Sequence, residues 1–377
     1  MKIAINLLST VPNQIGGVET FLVNLVQSLL KTDVENEFLL LVCENNKSIF
    51  NFEVNNSKQI TCNVDNNSRV KRVLYEQIVL PFILKQHNID LLIAPGNTGL
   101  IFRNCKILVI VYDLISFVIP EIFPLTKRLY IHNFVKYSCK NADKILTSSA
   151  NTKKDIVKYT GVDENKIDII YGGVDNKKFC GHSKESALNF LSEKYGISGQ
   201  YIYSPTSFYK HKNNDILLKA FAELKKTKAI KHKLIITGFD PYNEFGKFQQ
   251  LAEDYNVADD VFFLKVIPFE HIPFLYSGAD LTVYLSRYEG FGLPLLEAMA
   301  SKCPVLSSNQ SCLPEVIGDA GLLVNPYNTN EIVEKMFELL NNENLRKEYI
   351  EKGLSRVQEF TWENVARRLI QTYRKMQ

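Results

Sequence analysis

A chain of 377 residues, 46% hydrophobic and 23% charged, is long enough for two domains that each bury a core, and its composition is that of a folded globular protein. A net charge of +3 is small for this length and gives no reason to expect a nucleic-acid partner. Seven cysteines, at 43, 62, 105, 139, 180, 303 and 312, form no C-x-x-C pair, and six histidines, at 87, 132, 182, 211, 232 and 271, show no metal-ligand spacing; reduced thiols in a cytoplasmic protein without a metal are expected.

The chain runs from Met1-Lys2 directly into the apolar run 3–8, which reads as a first core strand and is too short for a signal peptide. The residues before position 18 include Gly16-Gly17, a loop in which glycine lets the backbone approach a ligand while the following helix offers its N–H groups. Taken alone, it reads more readily as a flexible turn, and it does not match G-x-G-x-x-G. A helix over 18–30 puts Val18, Phe21, Leu22, Leu25 and Leu29 on one face. Further strands are expected at 37–43, 89–95, 106–112, 144–148 and 167–170, and the Asn- and Ser-rich 45–70 reads as loops or a short edge strand. The strand over 106–112 ends in Tyr112-Asp113. The charge of Asp113 after an apolar strand calls for either a cap on the next segment or a contact with an acceptor hydroxyl. Its apolar surroundings, 107–120, are too short to cross a bilayer. Basic residues among aromatics in 127–140 read more readily as a solvated helix flank against the domain core than as a peripheral membrane face.

Pattern weakens over 171–199, where a linker is expected, and then strands resume at 200–204, 232–238, 261–266, 281–286, 304–307 and 321–324. Strands alternating with helices imply α/β architecture with parallel sheets, here as two Rossmann-like domains facing a cleft. Ser207 and Lys212 follow the first strand of the second half, where a lysine at the carboxyl end of a strand can neutralise a diphosphate, and Gly238 follows the second. The densest signal is Ser286-Arg-Tyr-Glu-Gly-Phe-Gly-Leu-Pro-Leu-Leu-Glu297. Gly290, Phe291 and Gly292 form a turn between a buried strand and a helix opened by Leu293, so that backbone amides and the helix dipole can hold a phosphate. Glu289 and Glu297, on either side of that turn, suit the vicinal hydroxyls at the two ends of one ligand, the transferred sugar and a ribose. The remainder, 328–377, is strongly helical.

This string resembles the E-x7-E motif of the retaining GT4 glycosyltransferases, which have the GT-B fold, and Gly16-Gly17-Val18-Glu19 resembles their G-G-x-E loop. The resemblance implies a donor diphosphate on the Phe291 and Gly292 amides and on Lys212, ribose at Glu297 and sugar hydroxyls at Glu289. It places Tyr112 where many members have a histidine. A phenol with a pKa of roughly 10 is a poor base near neutrality, so a positioning role is expected there. The arginine usual in the loop before the lysine is missing from 204–209. Glu289, Lys212, Tyr112 and Asp113 thus form the expected catalytic set. Gly16, Gly17, Ser207, Gly238, Gly290, Phe291, Gly292, Leu293 and Glu297 join Lys212 in binding the donor.

The resulting expectation is an acceptor-binding domain over 1–175, with the last helix, 360–377, packing back on it, and a nucleotide-sugar domain over 176–359. The implied reaction moves a hexose from a GDP- or UDP-sugar to a hydroxyl of a saccharide or lipid-linked acceptor in polysaccharide or glycoconjugate synthesis, without a metal cofactor. Localisation is expected in the cytoplasm or at the inner membrane face. Two alternatives stay open: a non-catalytic sugar-nucleotide or glycan-binding subunit, and a sugar-nucleotide epimerase or hydrolase.

Overall fold

A computed structural model describes residues 1–12 and 17–376. The chain forms two compact units, Met1–Gly172 with Trp362–Gln377, and Gly173–Thr361. These divisions stand close to, though not at, the boundaries of 175 and 359 read from sequence.

The first unit is built on a seven-stranded sheet: β1 (Lys2–Asn6), β2 (Glu37–Val42), β3 (Ser57–Thr61), β4 (Leu91–Ala94), β5 (Lys106–Val111), β6 (Lys144–Thr147) and β7 (Ile167–Ile169). The order is β3-β2-β1-β4-β5-β6-β7, and every pairing is parallel. Helices cover both faces, which is why β1, β4 and β5 read as nearly unbroken apolar runs. The edge strand β3 lies in the Asn- and Ser-rich stretch left open between loop and strand. The helix Gly17–Thr32 buries Phe21, Leu22, Leu25, Val26, Leu29 and Leu30, whereas Val18, assigned to that face, is 48% exposed. Val18 sits in the first turn, before the helix settles on the sheet. The helix Trp362–Arg374 packs on this unit, where Trp362 meets Phe21 edge-on and the Tyr373 hydroxyl donates to the buried Asp33.

In the second unit six strands run β8 (Tyr201–Pro205), β9 (Lys233–Thr237), β10 (Val261–Leu264), β11 (Leu281–Tyr284), β12 (Val305–Ser308) and β13 (Leu322–Val324). Their order is β10-β9-β8-β11-β12-β13, again all parallel. A separate core holds this sheet, with Ile202, Leu218, Phe221, Leu234, Val283 and Leu306 among its fully covered side chains. The stretch read as a linker is corrected here: it contains a helix, Lys184–Tyr195, that belongs to the second unit. Ser183 caps it by accepting from the Ser186 N–H at 3.1 Å, Gly196 ends it in the left-handed region, and Phe190 stacks on Phe274 at 4.1 Å. Only Ala187 and Leu191 are buried, so its periodicity is faint.

The turns after β8 and β9 approach each other unusually closely at Gly238. Its φ is +152°, and a Cβ there would lie 1.6 Å from the Thr206 carbonyl oxygen. Replacing Gly238 with Ala is expected to cost at least about 1–3 kcal/mol in urea unfolding, because both the dihedral and the contact must relax. Unchanged stability would show that the two turns do not meet this way.

Candidate active site

In both sheets the strand order reverses direction once, and in open α/β sheets the crevice at the carboxyl ends of the strands beside that reversal is where ligands bind. In the second unit the reversal lies between β8 and β11. The segments leaving these two strands carry Lys212 and Glu289.

After β8 a short 3-10 turn, Lys210–Lys212, is followed by Asn213 at φ +64°, a conformation that asparagine tolerates better than most residues. Asn213 is buried, and its side chain is fixed from both sides. Its amide donates to the Pro326 carbonyl at 2.7 Å, while its carbonyl oxygen accepts from Arg287 Nε and Nη2 at 2.9 and 2.7 Å. The Arg287 N–H also donates to the His211 carbonyl at 2.8 Å, so the two strand ends are stitched together. Residues 204–209, before Lys212, contain no arginine, and Arg287 reaches that loop from the far side of the switch point.

Lys212 Nζ lies 2.6 Å from Glu289 Oε1 and 3.0 Å from the Tyr284 hydroxyl, which itself donates to the same carboxylate oxygen at 2.8 Å. Each charged side chain is 13% exposed, enough for a ligand to touch it and little enough to keep the pair strong. Burial alone would push the Glu289 carboxyl up, but the Lys212 ammonium outweighs it and holds the group below its ordinary value. Lys212 is desolvated too, and the Glu289 charge more than compensates, keeping the amine protonated. Beside them, burial and the Lys212 charge push His211 down to about 4, so its ring is neutral at physiological pH. Tyr284 escaped the sequence reading, although its place as the last residue of a buried strand marks it as a candidate.

The turn after Glu289 is held by the segment that follows β12. The Ser311 hydroxyl accepts from the Glu289 N–H at 3.2 Å and donates to the Glu289 carbonyl at 2.7 Å, and Cys312 Sγ lies 3.1 Å from the Phe291 carbonyl. Gly292, at φ +100°, passes so close to Leu313 that a Cβ would sit 2.9 Å from its Cδ2. The helix Leu293–Ala300 then starts with no side-chain cap and with Pro294 in its first turn. Gly290, Phe291, Gly292 and Leu293 are therefore together at one helix start, next to the Lys212–Glu289 pair.

Glu297 has a different environment. It is half-buried, its Oε2 accepts from the Tyr276 hydroxyl at 2.8 Å, and burial pushes its carboxyl up to about 7, with Tyr276 and the charge of Lys178 opposing that shift. Ser207 is half-buried at the end of β8, where its carbonyl accepts from the Asn214 amide at 3.1 Å, and Gly238 lies against its neighbour Thr206.

The first-unit candidates separate. Gly16 lies outside the described residues, and Gly17 opens the first helix. Asp113 accepts from the Ile115 N–H at 3.0 Å, the capping interaction of the two readings left open, and it also lines a cavity of this unit. Tyr112 lies in the core of the first unit, its ring set edge-on to Phe21 at 5.3 Å, and burial raises its hydroxyl well above the ordinary phenol range. Its ring packs against the first helix through Phe21.

Comparison with known proteins adds to this geometry. The family described as "Glycosyl transferases group 1" matches residues 189–356, and "Glycosyltransferase Family 4" matches 15–178. O-antigen chain mannosyltransferase B of Escherichia coli is 30% identical over 70% of this chain and 68% of its own length. O-antigen chain mannosyltransferase RfbU of Salmonella typhimurium is 32% identical, over 71% and 70%. Among solved structures, sucrose-phosphate synthase from Thermosynechococcus elongatus superposes with a TM-score of 0.80 at 20% identity, covering 100% of this chain and 99% of its own. HepE of Anabaena, solved with UDP and glucose, gives 0.75 at 16% identity with both chains fully covered.

The Glu297 carboxyl titrates near 7 when folded and near 4.5 when free, so the folded state holds its proton more tightly. Its stabilising contribution is complete below about pH 4.5 and is lost as pH rises through 7. Glu297→Gln should therefore flatten the fall in thermal stability between about pH 5 and 8. A pH profile parallel to that of the wild type would place Glu297 in an ordinary solvated setting.

Proposed function

The chain belongs to the group 1, family 4 glycosyltransferases and has the GT-B fold, and from that premise we propose that it is a retaining hexosyltransferase using a nucleoside diphosphate sugar as donor. The observation that carries this reading is the Lys212–Glu289–Tyr284 cluster beside an uncapped helix start at the switch point of the second sheet. Mannose is the sugar proposed, because the mannosyltransferases of two O-antigen systems are similar over about seventy per cent of this chain. A GDP- or UDP-sugar donates it to a hydroxyl of a growing saccharide in cell-surface polysaccharide synthesis. Binding of UDP and glucose by a structural neighbour supports a nucleotide sugar as the ligand of such a fold.

In this reading the donor diphosphate lies against Lys212 and the amides at the start of Leu293–Ala300. As the bond from the sugar's anomeric carbon to the diphosphate oxygen breaks, negative charge grows on the leaving group. A fixed ammonium and aligned amide dipoles oppose that charge without having to reorganise. Glu289 accepts from hydroxyls of the transferred sugar, and Glu297 from the ribose. A carboxylate already engaged by Lys212 and Tyr284 is a weak nucleophile, which favours front-face attack: the acceptor oxygen bonds to the anomeric carbon on the side the diphosphate leaves, and its proton passes to the leaving phosphate oxygen. Positive charge comes from Lys212 and the helix start, and no metal is invoked. All seven cysteines are free thiols, which suits the cytoplasm. Among the described residues no helix is long and apolar enough to cross a membrane.

A panel of UDP- and GDP-sugars in thermal unfolding should single out one donor by a clear rise in Tm. Sugar transfer from that donor should depend on added acceptor extract, and Glu289→Gln should lower it at least about 100-fold. Donor breakdown without acceptor would instead favour an epimerase or hydrolase, and binding without any turnover a non-catalytic subunit.

A further inference from the structure

The first unit contains a cavity of its own, apart from the Lys212–Glu289 cluster of the second. A cavity of about 180 Å³ opens at the carboxyl ends of β4 and β5, beside the point where that sheet reverses its strand order. Arg69, Arg72, Asn97, Asp113, Tyr130 and Phe134 line it.

Its charges are unbalanced. Arg69 and Arg72 stand three residues apart on the helix Arg69–Ile78 and so share a face. Among the described residues no carboxylate lies within ion-pair distance of Arg69; its guanidinium instead lies 5.6 Å from the centre of the Tyr130 ring. Arg72 is held loosely, with Nε 3.7 Å from Glu76 and Nη1 3.5 Å from the Ser9 carbonyl, and its buried Nε makes no hydrogen bond within the described residues. The Glu76 carboxylate also accepts from the Asn6 amide at 3.1 Å, and Asp113 accepts from Ile115. Two guanidinium groups therefore face the space, with Asp113 the only acid in its lining among the described residues. A planar fork of N–H donors with an unused Nε matches a phosphoryl group better than a neutral sugar.

A second observation concerns what that phosphoryl group is attached to. Val70, Leu74 and Ile78 repeat every four residues along the same helix and continue to Phe82 on the next, Leu80–Gln86. All four are exposed, Val70 by 70% and Phe82 by 71%. Leu125 and Leu129 add to this exposed apolar surface from the helix Leu125–Asn141, whose Tyr130 and Phe134 wall the cavity. Exposed Lys71, Lys85 and Lys127 are interspersed. A soluble monomer rarely leaves so much large apolar surface in one region, and the mixture of lysines with aliphatic side chains suits an anionic amphiphile.

We propose that this cavity binds the phosphoryl group of a lipid-linked acceptor, held by Arg69 and Arg72, with its hydrocarbon chain along Val70, Leu74, Ile78 and Phe82. That the ligand is the acceptor rests on the glycosyltransferase reading above; that it is a lipid phosphate rests on the arginines and the ridge.

Binding is measured by calorimetry with inorganic diphosphate, farnesyl diphosphate and farnesol, with the donor site saturated by the nucleotide that the donor panel selects. Farnesyl diphosphate should bind at least about tenfold more tightly than either of the other two. Arg69→Gln combined with Arg72→Gln should weaken it about tenfold or more without lowering nucleotide affinity, which also shows that the variant is folded. Leu74→Ser with Phe82→Ser should weaken farnesyl diphosphate while leaving inorganic diphosphate unchanged. Farnesyl diphosphate affinity unaltered by the arginine substitutions overturns the proposal and leaves the donor reading intact. Arginine-dependent binding in a protein that recognises no nucleotide sugar upholds the lipid-phosphate site and removes the reason to call its ligand an acceptor.

Discussion

Two opposite charges meet at 2.6 Å where the strands of the second sheet part, and most of the surrounding structure serves to hold them there. Taking an ammonium and a carboxylate out of water is costly, and their attraction repays it only when the geometry is tight and the remaining hydrogen-bonding capacity is used. Tyr284 supplies part of that capacity by bridging both groups. The backbone supplies the rest of the constraint. Asn213 in a left-handed conformation turns the chain directly after Lys212, Arg287 fastens that turn to the end of β11, and Ser311 fixes Glu289 through its own N–H and carbonyl. A pair positioned this way meets a ligand with its charges already aligned, so little has to reorganise on binding.

The second glutamate shows how eight positions along the chain can change a carboxyl group's character. Glu289 is ionised because a lysine faces it, whereas Glu297 accepts from a tyrosine hydroxyl and is pushed up to about 7 by burial. Environments that push two like groups apart in pKa give them different work. Here the lower one suits a permanently charged acceptor of sugar hydroxyls. The higher one can gain or release a proton near neutral pH.

Much of the second unit's candidate site was legible in the sequence because its signals are local. A buried strand, a Gly-Phe-Gly turn and the helix Leu293–Ala300 follow one another within twenty residues, and the glycines mark the places where backbone approaches backbone. The contact between Lys212 and Glu289 was not legible, because it depends on β8 and β11 becoming neighbours across 77 residues. The burial of Tyr112 was not legible either. A polar tip at a strand end suggests a ligand contact, but the neighbouring helix closes over it with Phe21. Helices with few buried positions were the hardest to see: Lys184–Tyr195 hid in a stretch read as linker, and Arg69–Ile78 exposes the very aliphatic residues that would normally mark a core-facing stripe.

The central claim is that Lys212 meets the diphosphate while Glu289 meets the sugar, and comparing the affinity of a nucleoside diphosphate with that of its sugar nucleotide tests it most directly. Lys212→Met should weaken both ligands by about 10–100-fold, since a charge-assisted contact with the shared diphosphate is lost. Glu289→Gln should leave the nucleoside diphosphate within about threefold of wild type yet remove the preference for the sugar-bearing ligand. Wild-type affinity for both ligands in folded Lys212→Met, or an equal loss of both in folded Glu289→Gln, would contradict the division of labour derived from the pair.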